Sequence, residues 1–167
     1  MAAGKTYEPL ATNTLGTATS SVTFSSISGT YTDLVVVVNA ICASGGADVT
    51  SLQYNSDTTS GLYSSTRMVG TGVGGTDTDR QTGANFIASG LINSTVIGAD
   101  IYHIQNYSNT TTFKTCIVRA GLADNQTRIT VGLWRNTNAI TSLTISHASS
   151  INFNVGSTFT LYGIKAA

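Results

Sequence analysis

Two histidines, His103 and His147, are the first residues to weigh for chemistry in this chain of 167 residues. An imidazole beside a serine hydroxyl, oriented by a buried carboxylate, makes a hydrolytic triad. Nineteen serines put some hydroxyl near either histidine by chance alone, and no G-x-S-x-G turn frames any of them. His103 lies inside a strand-like segment and His147 at the end of another, so neither is assigned a catalytic role. A carboxylate pair of the glycosidase kind has equally little support. Glu8 is the single glutamate, and the aspartates at 33, 48, 57, 77, 79, 100 and 124 fall mostly in turns, where Asp accepts local backbone hydrogen bonds. Asp77-Thr78-Asp79 offers oxygens to a hard cation, but no EF-hand loop surrounds it, and a solvated loop is the expectation. The glycines of Gly70-Thr-Gly72-Val-Gly74-Gly75 imitate a phosphate loop without the following helix or the closing Lys-Ser/Thr. Cys42 and Cys116 sit in strand-like patterns and read as small buried hydrophobes, with one disulfide or a reactive thiol as the alternative. Four N-x-S/T sequons, at Asn93, Asn106, Asn109 and Asn125, match chance in a chain so rich in Ser and Thr. No catalytic residue, metal site or cofactor is expected.

Composition narrows the classes further. Charged residues make up 10%, eight basic against eight acidic, where an ordinary soluble domain has about 25%. The basic residues are scattered, so no patch for nucleic-acid phosphates exists. The longest aliphatic run is Leu34 to Val38, far short of the roughly 18 apolar residues of a spanning helix; no membrane partner is expected. Residues 1–5 contain no apolar stretch of a secretory signal. At 41% hydrophobic residues the chain can fold.

The elements that would position any site are strands. The chain holds 28 Thr and one Pro, and Thr favours strands over helices. No segment carries a 3.6-residue apolar period. Strand-like runs fall at 7–15, 21–27, 33–43, 49–54, 63–69, 85–92, 100–105, 113–120, 127–134, 140–146 and 158–164, separated by Gly, Asn, Asp and Ser turns. The spacing predicts an all-β antiparallel sandwich, jelly-roll-like, of about nine to eleven short strands. Residues 70–83, with five glycines, read as a long loop that can serve as a cross-connection. Residues 1–16, polar and broken by Pro9, read as an extended N-terminal arm or an edge; 17–167 form a single domain.

Apolar residues on both faces of one strand need covering from both sides. Leu34 to Val38 is such a run, and Tyr162 and Ile164 stand opposite Phe159 and Leu161. In residues 127–134, Ile129, Val131 and Leu133 share a face, and Trp134 falls off it at the strand end, which suggests exposure or an interface. Residues 113–120 stay open between two parities, one burying Phe113, Ile117 and Arg119, the other Lys114, Cys116, Val118 and Ala120. Tyr54, Tyr63, Tyr102, Tyr107 and Trp134 are candidate platforms for sugars, weighed against ordinary packing in a core. The expected assembly contacts are Tyr7, Pro9, Leu10, Val35, Val37, Trp134, Tyr162 and Ile164.

Thr6 to Leu15, Ser21 to Ile27 and Tyr31 to Val38, together with the ending Ile151 to Lys165, resemble small virion structural proteins of tailed bacteriophages, cyanophages among them. The resemblance covers both ends of the chain. It implies a jelly-roll sandwich that assembles as a homotrimer, without catalytic motif. Its partners would be copies of itself and the major capsid protein, and its place the capsid surface, where it would act as a cement or decoration protein. The alternative within the resemblance is a tail-fibre or receptor-binding module that recognises host glycans.

Overall fold

The computed structural model describes residues 6–165, and these contain strands and turns with no helix. The twelve strands are β1 (Tyr7–Thr14), β2 (Ser21–Phe24), β3 (Asp33–Ala40), β4 (Asp48–Tyr54), β5 (Tyr63–Gly70), β6 (Thr76–Ala84), β7 (Ile87–Ile92), β8 (Gly98–Gln105), β9 (Lys114–Leu122), β10 (Gln126–Trp134), β11 (Leu143–His147) and β12 (Thr158–Ile164). They form an eight-stranded sheet in the order β1-β12-β3-β8-β9-β10-β5-β6 and a four-stranded sheet in the order β2-β11-β4-β7. All pairings are antiparallel. The expected all-β sandwich is therefore present. Setting aside the hairpins β5–β6 and β9–β10 leaves two sheets of four, β1-β12-β3-β8 and β2-β11-β4-β7. Both hairpins extend the larger sheet on the same side.

The valine run forms β3, hydrogen-bonded between β12 and β8. Its inner residues Leu34, Val36 and Val38 are fully buried. They meet Tyr102, Ile104, Cys116 and Val118 of the same sheet and Val22, Phe24, Leu52, Ile87 and Ile145 of the other in one core. A second concentration of large side chains lies at one end. Trp134 pairs in register with Lys114 on one side and Tyr63 on the other. Its ring stacks on Tyr63 at 6.2 Å and meets Tyr54 at 5.5 Å. Its Nε1–H donates to Asp57 Oδ2 at 2.9 Å, and the Tyr63 hydroxyl donates to the Asp57 carbonyl at 2.9 Å. Lys114, also buried, donates its Nζ protons to the carbonyls of Thr112 and Thr137. Burial of such a cation is tolerated because both carbonyls accept from it.

Three sequence expectations change here. Trp134 is not exposed: it is a core residue, and β10 turns Ile129 and Val131 outward instead. Alternation along β10 gave the two faces correctly but not which faced in, because the face carrying Arg128, Thr130, Gly132 and Trp134 looks the more polar of the two. Residues 70–83 are not a loop: Gly70 ends β5, only 71–75 form a tip, and 76–83 belong to β6, an edge strand exposed nearly throughout. With solvent on both faces it has no apolar alternation to reveal it. The arm drawn over residues 1–16 is, from Tyr7 to Thr14, the edge strand β1, paired along its length with β12. Pro9 is accommodated because an edge strand has one side without ladder bonds, and the register shifts between Pro9 and Ala11. Leu10 packs against the core rather than outward. Residues 1–5 lie outside the described residues. The open parity of β9 resolves toward burial of Lys114, Cys116, Val118 and Ala120.

Truncating the Trp134 side chain should cost about 3–5 kcal/mol, as large aromatic deletions in cores do, whereas Ile129→Ser should cost under about 1 kcal/mol in the monomer. Urea unfolding of both variants checks this; similar losses would mean that the assignment of inner and outer faces of β10 is wrong.

Candidate functional site

The two histidines do not form a triad. His103 lies on the outer side of β8, and its Nε2 meets Asp33 Oδ2 at 3.1 Å. The other oxygen of Asp33 accepts the Asn106 backbone N–H, so this pair fixes the turn after β8. His147 is buried at the end of β11. Its Nδ1 accepts the backbone N–H of Ser149, and Asp48 Oδ2 stands 3.7 Å from that nitrogen. The Ser149 hydroxyl bonds Asp48 rather than the imidazole. The residue types of a triad are thus assembled in the wrong order, with Nε2 enclosed and without a partner among the described residues. Burial lowers the pKa of His147 against the pull of Asp48, which keeps the ring neutral.

Asp77 and Asp79 do not converge. Asp79 pairs with Arg67 at 3.0 Å, and no group of three or more metal-ligating side chains exists among the described residues. Tyr54, Tyr63, Tyr102, Tyr107 and Trp134 are all buried, so none of the five offers a ring to a sugar. Cys42 and Cys116 are both free thiols in the interior.

A polar cluster does lie between the sheets, and no sequence motif announced it. Asp100 on β8, Ala120 on β9 and Arg128 on β10 occupy one cross-strand row. The small Ala120 leaves the two charged side chains in view of each other. Asp100 is fully buried; its Oδ2 accepts the Leu91 N–H at 3.0 Å and the Tyr102 hydroxyl at 3.5 Å. Thr50 Oγ1 accepts the Gly90 N–H at 2.8 Å and lies 2.7 Å from the Tyr102 hydroxyl. These groups fill the space over Gly90: a Cβ there would stand 1.9 Å from Asp100 Oδ2 and 2.5 Å from Thr50 Oγ1. Burial raises the pKa of Asp100 to about 7, more than the Leu91 hydrogen bond and the Arg128 charge lower it. Burial likewise lowers the pKa of Arg128, with the charge of Arg67 adding to the effect. The cluster ties β7 to the large sheet and has the character of an internal clamp.

The outer face of the eight-stranded sheet is an extended surface of unusual chemistry. Register aligns Tyr162, Val35, His103, Ile117, Val131 and Thr66 in one row across β12, β3, β8, β9, β10 and β5. The next row is Thr160, Val37, Ile101, Arg119, Ile129 and Met68. Met68 is 68% exposed, Ile129 53%, Val131 50% and Ile117 41%. A third row, Asn39, Ala99, Gly121, Thr127 and Gly70, is small, and above it the face hollows into a groove of about 930 Å³. Of the expected contact residues, Val37, Tyr162 and Ile164 lie half-buried on this face, and Val35 shares it but is already buried. Tyr7 joins its margin by an edge-on contact with Tyr162 at 6.2 Å. Pro9 pairs with Tyr162 in register, while Leu10 and Trp134 belong to the core. Ile101, Ile117, Ile129, Val131 and Met68, which share this face, were not among the expected contacts, although the shared face of Ile129 and Val131 was visible in the sequence.

Comparison with protein-family models, with curated proteins and with solved structures returns no match.

Asp100 binds its proton more tightly folded than unfolded. Its contribution to stability is therefore complete below about pH 4 and is lost as pH rises toward 7. The wild type should lose about 1.4 kcal/mol per pH unit in that window relative to Asp100→Asn. Urea unfolding at several pH values between 4 and 8 measures this, and His147 cancels in the difference because both proteins carry it. Parallel pH profiles for the two proteins would refute a raised Asp100 pKa.

Proposed function

We propose that this chain is a non-enzymatic structural subunit that works by assembling: a cement or decoration protein that binds the surface of a phage head as a homotrimer. The observation that carries the assembly part is the outer face of the large sheet. Isolated exposed apolar residues are ordinary, but contiguous rows of them mark interaction sites. Six strands spaced about 4.8 Å apart, with rows covering about 20 Å of strand, give a footprint of about 600 Å². With the matching area on a partner, that reaches about 1,200 Å², the lower end of stable interfaces. A formal net charge of zero adds no repulsion between copies.

The order of the eight strands outside the two hairpins supports the jelly-roll reading: the chain visits the sheets as a doubled Greek key does. The resemblance of both chain ends to phage virion proteins supports a virion as the place of assembly, on the head in this reading. A trimer on a head would touch several capsid subunits at once, and multivalency turns weak single contacts into firm clamping. The glycan-binding alternative loses its five aromatic candidates to the core.

Sedimentation of the purified protein should show a trimer, and Ile129→Asp with Val131→Asp should dissociate it while leaving the fold intact by circular dichroism. A trimer untouched by the double substitution would place the contact elsewhere. Quantitative mass spectrometry of virions should find hundreds of copies each; a few to a few tens would move the protein to the tail.

A further inference from the structure

We infer that the molecule holds a carbohydrate site: a recess under the β5–β6 hairpin, walled by Ser65, Arg67, Asp79, Gln81 and Phe86, takes a neutral sugar ring through a pair of neighbouring hydroxyls. The recess is independent of the assembly reading, because it lies on the other side of the hairpin from the exposed apolar rows. It originates in the overhang of the larger sheet. β5 and β6 are the last two strands of that sheet, and β7 is the last strand of the smaller one. On β5, Tyr63, Ser65 and Val69 are buried and Arg67 is half-buried, so alternation puts all four on the inner face. Register sets Gln81 opposite Ser65 and Asp79 opposite Arg67, which brings four polar side chains to that face; Arg80, opposite Thr66, belongs to the outer one. Between them and β7 lies a recess of about 370 Å³, lined also by Val49, Phe86 and Ala88. That is within the roughly 300–1,000 Å³ of small-ligand pockets.

Three features of the wall select the ligand. Arg67 Nη2 meets Asp79 Oδ2 at 3.0 Å, and the two side chains keep 25% and 50% of their exposure. As a unit the pair is neutral, so it favours neither an anion nor a cation. It does set a charged donor beside a charged acceptor, each held in place by the other. Adjacent sugar hydroxyls match that arrangement: one accepts from the guanidinium while its neighbour donates to the carboxylate. Next, Arg67 Nε and Gln81 Oε1 are both buried at this wall without a hydrogen-bond partner among the described residues. One is a donor and the other an acceptor, so the recess is rich in polar groups of both kinds, as a ligand that both donates and accepts requires. The third feature is a ring. Phe86, on the link from β6 to β7, is half-buried and belongs to neither core cluster, unlike the five aromatic residues weighed above. It gives the recess an apolar wall for the carbon face of a sugar.

Titration of the full chain, followed by amide chemical shifts, tests the site. The probes are the methyl glycosides of glucose, galactose, mannose and fucose, with glucuronate, inorganic phosphate and a permethylated glucoside beside them. At least one neutral glycoside should shift the amides of residues 65–67, 79–81 and 86 with a millimolar midpoint, the range that a few hydrogen bonds and one ring contact support. Phe86→Ala and Asp79→Ala should each weaken that binding on the order of 10-fold, with circular dichroism unchanged because both side chains lie at the margin of the fold. Several results overturn the inference. A stronger response to glucuronate or phosphate would mean that the guanidinium recruits anions. Equal binding of the permethylated glucoside would mean a merely apolar contact, and silence toward all four neutral glycosides would mean no sugar site. Full binding by both variants would place the sugar elsewhere. Ile129→Asp with Val131→Asp, which probes the assembly face, should leave sugar binding as it is; loss there would move the ligand to the outer face. A chain that binds the glycoside but sediments as a monomer leaves the site standing and refutes only the assembly reading.

Discussion

Four strands cannot cover eight. The small sheet packs across only part of the large one, and much of the rest of the molecule follows from that mismatch. Under β2, β11 and β4 the interior is apolar in the ordinary way. Under the added hairpins β7 provides cover, packing across β8, β9, β10 and β5 with all six of its residues buried, and Tyr54 of β4 closes on Trp134 and Tyr63 at one end. There the inner face carries Thr130, Arg128, Arg67 and Ser65, because partial cover admits polar groups that hydrogen bonds and charges can satisfy. The clamp of Asp100, Tyr102 and Thr50 holds β7 at this margin, and Gly90 is the residue that lets the carboxylate approach.

In a two-layer sandwich each sheet presents its other face to solvent, and here the larger sheet has the larger such face. A sheet with one side against a core can carry polar residues on the other; here that other side carries Ile101, Ile117, Ile129, Val131 and Met68.

Fold class was legible in the sequence because Thr-rich alternation and the frequent Gly, Asn and Asp turns are local signals. The valine run, apolar on both faces, is the signature of a central strand or of one whose outer face meets another subunit, and β3 lies between β12 and β8. What failed was whatever depended on which side of a strand would be covered. In β10 a tryptophan at a strand end read as exposed or at an interface, and the face shared by Ile129 and Val131 was left unassigned, because sequence alternation defines two faces and tertiary packing chooses between them. β6 escaped notice because an edge strand wetted on both faces has no apolar period. The Asp100–Arg128 row was illegible for another reason: the residues are 28 positions apart in sequence, and only the register through Ala120 brings them together. Tyr162, Ile164, Val35 and Val37 were legible as one face of the large sheet, since they are apolar opposite residues committed to the core; Val35 is itself buried there.

The two buried thiols give the molecule an internal clock. Burial raises the pKa of Cys116 to about 11 and raises that of Cys42 as well, so neither is a nucleophile while the sandwich is closed. Cys116 lies on β9, in the core beneath the outer face, and Cys42 bridges to Phe153 near the entry to β12. Alkylation at each position therefore reports how often its own region of the protein opens, so the breathing of two separate regions is readable in the native chain without introducing a label.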